Sequence, residues 1–376
     1  MLQAVLRCDA DRKAVLRLRD DDAERFLTLI HNAIDKQAFP FNDDGQRLRY
    51  SAHRLLAKLS ENCGILPSIL SIAGIENCSK EPVAGGGFAD IFRASYRGED
   101  VALKRLRDFQ VHQQREIVHR RFCREAILWQ DLKHPNVLPF YGIDLQTFLP
   151  RLSMVSPWMQ HGTILKHITD IGGPLTANLD RYVCFFPNTH PILIHILEQL
   201  FEIAKGLHYL HSRNIVHGDL RGTNIFIDDQ WHIRLADFGL AGFADATLGT
   251  NTSNNAGSIR WMAPELHNPE IFDLKELRRT MESDVYALAC VALEIYTGNY
   301  PFADILRDGT VILKVMQGER PVRPSSATGR PISDELWCII ELCWQQAPSD
   351  RPNMPHVFES LETYQSGCSH PHGISV

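Results

Sequence analysis

The sequence is most informative over one segment, which reads His217-Gly218-Asp219-Leu220-Arg221-Gly222-Thr223-Asn224. A second segment, Asp237-Phe238-Gly239, begins thirteen residues after Asn224. A carboxylate therefore precedes an amide by five positions, and another carboxylate follows on a turn. Such side chains on one surface suit phosphoryl transfer, because one carboxylate can accept a hydroxyl proton while the amide and the other carboxylate hold Mg²⁺ against phosphates. A single match of this kind is weak evidence for phosphoryl transfer, so further motifs in the right order are needed to support it.

A glycine cluster and a lysine-bearing strand precede this segment. The cluster reads Ala84-Gly85-Gly86-Gly87-Phe88-Ala89-Asp90-Ile91, and Val101-Ala102-Leu103-Lys104 follows it. Glycines let backbone N–H groups approach phosphates closely, although a plain flexible turn would also account for the cluster. Glu125, on the helix predicted next, is the candidate partner of Lys104, and Glu116 competes with it. The alternative is a surface salt bridge of little value.

In content and order these motifs resemble those of the eukaryotic protein kinases. Downstream, Gly257-Ser258-Ile259-Arg260-Trp261-Met262-Ala263-Pro264-Glu265, Asp284 and Arg351 extend the match. The sequence of the segment Gly257–Glu265, together with Cys343-Trp344 near the end of the matching region, is most similar to that of the tyrosine-kinase-like group. That group mostly phosphorylates serine and threonine. The resemblance covers about residues 80 to 363. It implies an α+β, two-lobed kinase fold with a small β-rich lobe and a larger helical lobe.

The resemblance also implies a role for each matched residue. Asp219 is expected to be the catalytic base, while Lys104 pairs with the α- and β-phosphates of ATP and Glu125 holds Lys104. Asn224 and Asp237 are expected to bind Mg²⁺. The residues expected to contact the nucleotide are Ala84, Gly85, Gly86, Gly87, Phe88, Ile91, Ala102, Lys104, Ser156, Pro157, Met159 and Phe226.

Adenine recognition is expected at Ser156-Pro157-Trp158-Met159, which resembles the linker between kinase lobes. Pro157 has no N–H and can offer only its carbonyl, whereas Met159 can offer an N–H. Ser156 would then be a small gatekeeper beside the adenine. His217 is expected to be a packed structural histidine beneath Phe238.

Two more features of the kinase pattern concern packing. With His217 and Phe238, Trp129 and Phe140 would complete the apolar spine of an active kinase. Glu265 and Arg351 are expected to form the buried ion pair of the helical lobe.

The chain also departs from the kinase pattern. Ala84 and Ala89 replace the first and third glycines of the phosphate-covering loop, which would either stiffen that loop or weaken nucleotide binding. Arg221 stands where serine/threonine kinases usually have a lysine, keeping the charge but not the shape. Gly218 replaces an arginine that in many kinases helps to capture a phosphate on the activation segment. Activity is therefore expected not to need that phosphate, unless Arg260 or a distant base substitutes.

These departures leave two classes of function open. The first is an active kinase specific for protein serine and threonine, with dual or tyrosine specificity as a lesser option. The second is a pseudokinase that binds nucleotide or acts as a scaffold.

Before the kinase region, residues 1–78 are predicted to form a helical segment, with the kinase domain at 79–363 and a tail at 364–376. One amphipathic helix is predicted behind the acids Asp20–Asp22, and another between Asn42 and Gly64. They are predicted to form either a layer packed on the next domain, with its small lobe as the expected surface, or a freestanding module that binds a protein partner. Their predicted apolar stripes are Phe26, Leu29, Ile30 and Ala33, and Leu48, Ala52, Leu55, Leu56 and Leu59.

Secondary structure within the kinase region follows from periodicity and turn residues. The predicted strands are Ile91–Tyr96 and Asp100–Lys104, joined by a hairpin, and the extended segments Asn136–Tyr141 and Ser153–Ser156. The predicted helices are Arg120–Leu132 and one ending near His211, whose apolar stripe is Leu193, Ile196, Leu197, Leu200, Ala204 and Leu207. Asp170–Pro191 is predicted to be either a mobile insertion or a docking loop that uses Phe185 and Phe186.

Composition excludes several classes of protein. A net charge of −6 over 376 residues gives no reason to expect nucleic acid as a partner. The nine cysteines lack any Cys-x-x-Cys pair, which favours reduced thiols in the cytoplasm, with the nucleus also possible. No secretory signal is evident, and the longest apolar run, Val285 to Ile295, is too short to cross a bilayer, so no membrane insertion is expected. Cys368 to His372 is expected to be a disordered end, with a metal site as the alternative.

Overall fold

The computed structural model describes residues 2–85, 89–107, 112–170, 191–238, 242–243, 258–324 and 332–369. The chain divides into two compact units. The first unit comprises Met1–Lys133 and Pro139–Trp158, and the second comprises His134–Leu138 and Met159–Val376. The first unit holds a seven-stranded sheet, whereas the second is mainly helical. The predicted α+β class is therefore confirmed.

The first unit contains both predicted N-terminal helices, although one of them buries a different face from the one predicted. The side chain of Asn42 accepts a hydrogen bond from the Gly45 N–H at the start of the long second helix, and Gly64 ends that helix with a φ of +68°. All five side chains of its predicted stripe are buried. The helices are α1 (Leu2–Arg7), α2 (Asp9–Val15), α3 (Asp20–Asp35), α4 (Asp43–Cys63) and α5 (His112–Gln130), with a 3₁₀ turn at Ser68–Leu70.

The stripe predicted for α3 is wrong in phase. Its buried side chains are Ala23, Leu27, Ile30 and Ile34, whereas Leu29 is 38% exposed. Apolar residues occupy two adjacent faces of this helix, so the 3.6-residue period alone does not say which face packs inward.

The sheet of the first unit is antiparallel except at one edge. Its order is β1-β6-β7-β5-β4-β2, with β3 paired to β4 and with β1 parallel to β6. The β4–β5 hairpin turns at Arg97 and Gly98, whose φ values of +52° and +85° suit a tight two-residue turn. The strands are β1 (Ser71–Ile72), β2 (Ile75–Glu76), β3 (Ala84–Gly85), β4 (Ala89–Tyr96), β5 (Glu99–Leu106), β6 (Gly142–Asp144) and β7 (Ser153–Pro157).

Three boundaries in this unit differ from the predictions. β1 and β2 join the sheet although they lie inside the segment predicted to be helical. Helix α5 begins at His112 rather than near Arg120, because a polar first half without apolar periodicity is still helical. Asn136–Tyr141 is not a strand, and the ladder begins only at Gly142.

One face of the sheet carries the apolar core of the first unit. This core consists of Phe92, Ala94, Val101, Leu103 and Val155. Its members alternate along β4 and β5 with residues of the opposite face, as the period of a strand requires. The opposite face is therefore available for other groups.

The second unit is built around a buried helix. The helices are α6 (Ile164–Asp170), α7 (Pro191–Ser212), α8 (Met281–Thr297), α9 (Asp308–Met316), α10 (Asp334–Cys343) and α11 (Met354–Ser369). The strands form two antiparallel pairs, β8 (Ile215–Val216) with β11 (Gly242–Phe243) and β9 (Ile225–Ile227) with β10 (Ile233–Leu235). The 3₁₀ turns are Gly222–Asn224, Ile259–Trp261, Pro264–Leu266, Pro269–Phe272 and Pro348–Asp350.

Helix α8 is buried over nearly its whole length, from Ser283 to Tyr296. Thr280 caps it through a reciprocal hydrogen-bonded pair with Ser283. The apolar run Val285 to Ile295 is thus an interior helix, as predicted. Among the described residues, no helix is both long enough and apolar enough to cross a membrane.

The stripe predicted for α7 is confirmed from Ile196 to Leu207, while the side chain of Leu193 lies outside the described residues. Helices α6 and α7 flank residues 171–190, which also lie outside the described residues. The two hypotheses for that insertion therefore remain predictions. The end of the tail, from His370, is likewise outside them, whereas α11 continues past the predicted boundary at 363.

Candidate functional site

In the first unit, the predicted lysine and glutamate form an ion pair. Lys104 Nζ on β5 lies 2.6 Å from Glu125 Oε1 on α5, with side chains 25% and 8% exposed. Glu116, the competing acid, lies 2.6 Å from Arg120 in an exposed pair one turn away on its own helix. Because a buried carboxylate is costly without a partner, the Lys104–Glu125 pair is a specific feature of this unit.

Five of the residues predicted to contact the nucleotide share one face of the sheet. Ala84 pairs with Ile91, Ile91 pairs with Lys104, and Ala102 pairs with Ser156 in the strand register. Side chains of directly opposed residues lie on the same face, and those two apart on a strand do as well. These five side chains therefore stand opposite the apolar core. Gly86, Gly87 and Phe88, predicted to cover the phosphates, lie outside the described residues.

The strand that follows the glycine cluster is fixed by an ionic group that the sequence did not reveal. Asp90 accepts hydrogen bonds from Arg105 at 2.9 Å and from Arg107 at 2.7 Å. Burial alone would raise the pKa of Asp90, but the hydrogen bonds from Arg107 and Arg105 outweigh it, so the pKa is lowered. A Cβ on Gly85 would lie 2.6 Å from Arg107 Nη2. A side chain at position 85 would therefore require the guanidinium of Arg107 to move.

The predicted adenine-binding linker is partly ordered by backbone bonds. Ser156 is buried on β7, and Pro157 ends that strand. The Trp158 N–H donates to the Asp100 carbonyl at 2.9 Å, which holds the chain against β5. In the second unit, the Met159 carbonyl accepts from the Gly162 N–H at 3.1 Å. The adenine-facing role of the Met159 N–H stays a prediction.

In the second unit, a buried carboxylate holds the segment that contains Asp219. Asp284, on α8, accepts hydrogen bonds from the backbone N–H groups of His217 and Gly218, each at 2.8 Å. His211 Nε2 contacts the same carboxylate at 2.9 Å. Gly218 has a φ of +80°, a conformation that glycine adopts at no steric cost. The residue that replaces the expected arginine therefore also allows the turn into Asp219.

Asn224 is bound directly to Asp219. The Asn224 amide nitrogen donates to Asp219 Oδ2 at 3.0 Å and to the Asp219 carbonyl at 2.8 Å. The amide nitrogen of Asn224 is thus used within the loop, and its amide oxygen is the atom with the ligand chemistry that Mg²⁺ prefers. The Ala236 N–H donates to the Asn224 carbonyl at 2.9 Å. Asp237 is the next residue after Ala236, so it lies close to Asn224. The structure thus brings Asp219, Asn224 and Asp237 into one neighbourhood.

His217 is a structural histidine, as predicted. It is fully buried, its Nε2 lies 3.1 Å from the Ala236 carbonyl, and its Nδ1 accepts from the Asp219 N–H at 3.2 Å. Its ring lies 5.5 Å from that of Phe238. Within the first unit, the rings of Trp129 and Phe140 lie 5.3 Å apart.

Phe226, predicted to contact the nucleotide, lies on β9. Arg221, which stands in place of the usual lysine, lies on the adjacent loop. Phe226 is half-buried on β9, paired with Arg234 and bridged to Thr163. Arg221 Nε lies 3.6 Å from Asp219 Oδ2. Arg221 therefore neighbours the predicted catalytic base.

Glu294 is an acid inside the apolar helix α8 whose role became visible only in the structure. It accepts hydrogen bonds from the Gly222 N–H at 2.8 Å and from Trp261 Nε1 at 2.9 Å, both at Oε2. Burial raises the pKa of Glu294 to about 7, although these hydrogen bonds oppose the rise. Glu294 thus fixes the loop between Asp219 and Asn224 from the same helix as Asp284.

The cation that contacts the Gly218 carbonyl is Arg279 rather than Arg260. Arg260 is engaged by the carbonyls of Pro301, Phe302 and Ile305 and by Asp308 at 3.0 Å. Arg279, just before α8, donates from Nε to the Gly218 carbonyl and is only 9% exposed. Burial lowers the pKa of Arg279, while the carboxylates of Asp219 and Asp284 raise it. Arg279 therefore stands beside Gly218 with its Nε bonded to a backbone carbonyl of the loop itself.

The predicted ion pair of the helical lobe is also present. Arg351 Nη1 and Nη2 each lie 2.7 Å from one oxygen of Glu265, and both residues are buried. This two-point geometry is the strongest that a guanidinium and a carboxylate can form. The serines and threonines at 247–253, which belong to the activation segment, lie outside the described residues.

The family model described as protein tyrosine and serine/threonine kinase matches residues 78–361. The chain belongs to this family. Similar proteins in Arabidopsis thaliana include serine/threonine-protein kinase STY17, 29% identical over 282 residues, and serine/threonine-protein kinase CTR1, 28% identical over 284 residues. Each alignment covers 75% of this chain, but only 43% of STY17 and 31% of CTR1. The chain thus spans less than half of either relative, and the predicted resemblance to tyrosine-kinase-like serine/threonine kinases is confirmed for this domain.

Proposed function

We propose that this chain is an active protein kinase that transfers the γ-phosphoryl group of ATP to serine or threonine hydroxyls of a protein substrate. The observation that carries the proposal is the 2.6 Å contact between Lys104 and Glu125. In protein kinases this lysine must be held by this glutamate before the nucleotide is correctly bound. A scaffold that bound no nucleotide would be under no constraint to keep the pair.

The first unit offers groups suited to a nucleotide. Lys104 would hold the α- and β-phosphates, since its ammonium is already oriented by Glu125. Ala102 and Ser156 are small residues at opposed positions, which leaves room for a flat base against that face. Ile91 is half-buried on the same face and offers apolar surface.

The second unit offers groups suited to the chemistry. Asp219 would accept the proton of the incoming hydroxyl, because its carboxylate is positioned by Asn224. The Asn224 amide oxygen and the Asp237 carboxylate would hold Mg²⁺, and their oxygen donors fit that hard cation. When bound, Mg²⁺ neutralises charge on the phosphates. Arg221 adds a cation near Asp219.

The proposal also covers the residue specificity, the domain bounds, the cellular role and the compartment of this chain. STY17 and CTR1 are named as serine/threonine kinases, which supports that specificity, although HT1 of Arabidopsis thaliana, 26% identical, is named serine/threonine/tyrosine-protein kinase. We place the kinase domain at 79–363 between the N-terminal segment 1–78, whose helices end at Cys63, and the tail 364–376. We assign it a role in signal transduction. The cysteines among the described side chains are all unpaired, which supports the cytoplasm, or the nucleus, as its compartment.

A peptide-library assay with labelled ATP and Mg²⁺ tests the proposal. The wild type is expected to label serine and threonine, and Asp219→Asn is expected to lower kcat by roughly 10²–10⁴-fold. ATP with Mg²⁺ should still raise the melting temperature of Asp219→Asn. Asp229→Asn, an exposed carboxylate on the same stretch, is the matched control and should retain activity.

Two outcomes separate the alternatives. A nucleotide-dependent rise in melting temperature without any phosphorylation by the wild type would indicate the pseudokinase. A wild type with neither property would contradict nucleotide binding altogether.

A further inference from the structure

Helix α5, which carries Glu125, packs along α4 of the N-terminal extension, defined here as α1 to α4. Strand β6 also contacts α5, but less extensively. The orientation of α5 decides whether Glu125 reaches Lys104. Whatever fixes α5 therefore also fixes the ion pair.

One polar contact between α4 and α5 lies immediately next to Glu125. Arg124 Nη1 is 3.9 Å from Glu61 Oε1, and the two side chains are 16% and 21% exposed. Burial lowers the pKa of Arg124, and the carboxylate of Glu61 opposes that shift. Because a buried charge is costly without its counterpart, Arg124 binds α5 to α4 at this point.

Further contacts lie toward both ends of α5. His119 Nε2 lies 2.8 Å from the Gly64 carbonyl, at the end of α4. Past the other end, Asp131 Oδ2 lies 2.5 Å from His53 Nδ1 on α4. The extension therefore holds α5 at points on either side of Glu125, which resists both translation and rotation of the helix.

The apolar faces of the two helices add to these polar contacts. Leu55, Leu56 and Leu59 of α4 are buried, and so are Phe122 and Ala126 of α5. Burial of these apolar side chains removes them from water and so stabilises the contact between the two helices. The extension is thus a packed part of the first unit rather than a tethered module.

We propose that the N-terminal extension positions α5, and with it the Lys104–Glu125 pair, and that Glu61 and His53 are positioning residues for the kinase reaction. The inference rests on the proposed function. It assigns to the extension a role within the same chain instead of the capture of a separate partner. Packed helices shift by discrete steps of about 1–2 Å, and a step of that size would break a 2.6 Å ion pair.

The test compares two double variants of the full chain. Glu61→Ala/His53→Ala removes the two α4 side chains that contact Arg124 and Asp131, whereas Arg7→Ala/Asp44→Ala removes an exposed 2.5 Å ion pair inside the extension. The first is expected to lower kcat/KM for ATP by roughly tenfold or more, and the second by less than twofold. Hydrogen exchange of backbone amides in residues 119–131 should accelerate only in the first.

Exchanging the charges of Glu61 and Arg124 distinguishes a loss of α5 positioning from a loss of folding. Glu61→Arg alone should lower kcat/KM, and Glu61→Arg/Arg124→Glu should recover most of it, since the attraction is restored with its direction reversed. If Glu61→Ala/His53→Ala does not fold, Glu61→Gln provides the milder comparison.

Equal activity and equal exchange in the two double variants would overturn the inference while leaving the proposed function intact. A wild type that phosphorylates nothing would instead overturn the proposed function. In that case the exchange of residues 119–131 still decides whether the extension positions α5: faster exchange in the first variant supports it, and unchanged exchange contradicts it.

Discussion

The Lys104–Glu125 pair and the Asp219–Asn224 loop are secured in different ways. The loop is held by backbone N–H groups that donate to Asp284 and Glu294, two buried carboxylates of the single helix α8. The ion pair instead depends on α5, which is held by side-chain contacts to α4. Backbone bonds to buried acids leave little freedom, whereas side-chain contacts between helices can be broken and remade. The difference predicts that the loop is the more rigid of the two features and that the ion pair is the more easily perturbed.

Asp284→Ala should show the largest effect. It leaves the N–H groups of His217 and Gly218 without their acceptor, and unsatisfied buried donors cost on the order of 1–3 kcal/mol each. We expect the free energy of unfolding in urea to fall by about 3 kcal/mol or more, and kcat to fall beyond the change in folded fraction. Glu282→Ala, exposed on the first turn of α8, is the control. Normal kcat in Asp284→Ala would show that the loop needs no such anchor.

Arg279→Ala is expected to have a smaller but clear effect. Arg279 donates to the Gly218 carbonyl, so the loop before Asp219 has its own cation. We expect kcat to fall by roughly tenfold, the scale of one lost charged hydrogen bond of about 1.5 kcal/mol, and Arg278→Ala to change it less.

Because Arg279 gives the loop its own cation, phosphatase-treated wild type should keep most of its initial rate. A tenfold loss that autophosphorylation restores would mean that Arg279 does not replace a phosphate-dependent switch.

Glu294→Gln tests the loop anchor through the pH dependence of stability. Glu294 has an ordinary pKa of 4.5 when unfolded and about 7 when folded, so the folded state binds more protons between these values. The free energy of unfolding of the wild type should therefore fall as pH rises from 5 to 8, by on the order of 2–3 kcal/mol from this group. The amide oxygen introduced by Glu294→Gln would accept both hydrogen bonds at every pH.

The advantage of the Glu294→Gln variant in melting temperature should therefore increase from pH 5 to pH 8. Glu341→Gln, exposed on α10, should show no such trend. An advantage that is constant with pH would contradict the raised pKa.

The sequence predicted features that are local or follow a fixed order. The Asn42 and Gly64 ends of α4 and the Arg97-Gly98 hairpin depend on neighbouring residues, whose preferences are visible in the chain. The order of motifs around Lys104, Asp219 and Asp237 predicted the fold class and the candidate site.

Other features depend on partners that are distant in sequence. Arg279 meets Gly218, and Glu61 meets Arg124, 61 and 63 positions away. No spacing rule predicts such pairs, because they arise from how helices pack. The face of α3 was misassigned for the same reason, since its neighbours rather than its own period select the buried side.

The most direct measurement is the steady-state kcat/KM for ATP of the wild type, Glu125→Gln and Glu116→Gln with one peptide substrate. Both variants remove a negative charge from α5, but only Glu125 contacts Lys104. The account predicts measurable phosphorylation by the wild type, a fall of roughly tenfold or more in Glu125→Gln, and a value within twofold of the wild type in Glu116→Gln. Equal values for Glu125→Gln and the wild type would contradict it.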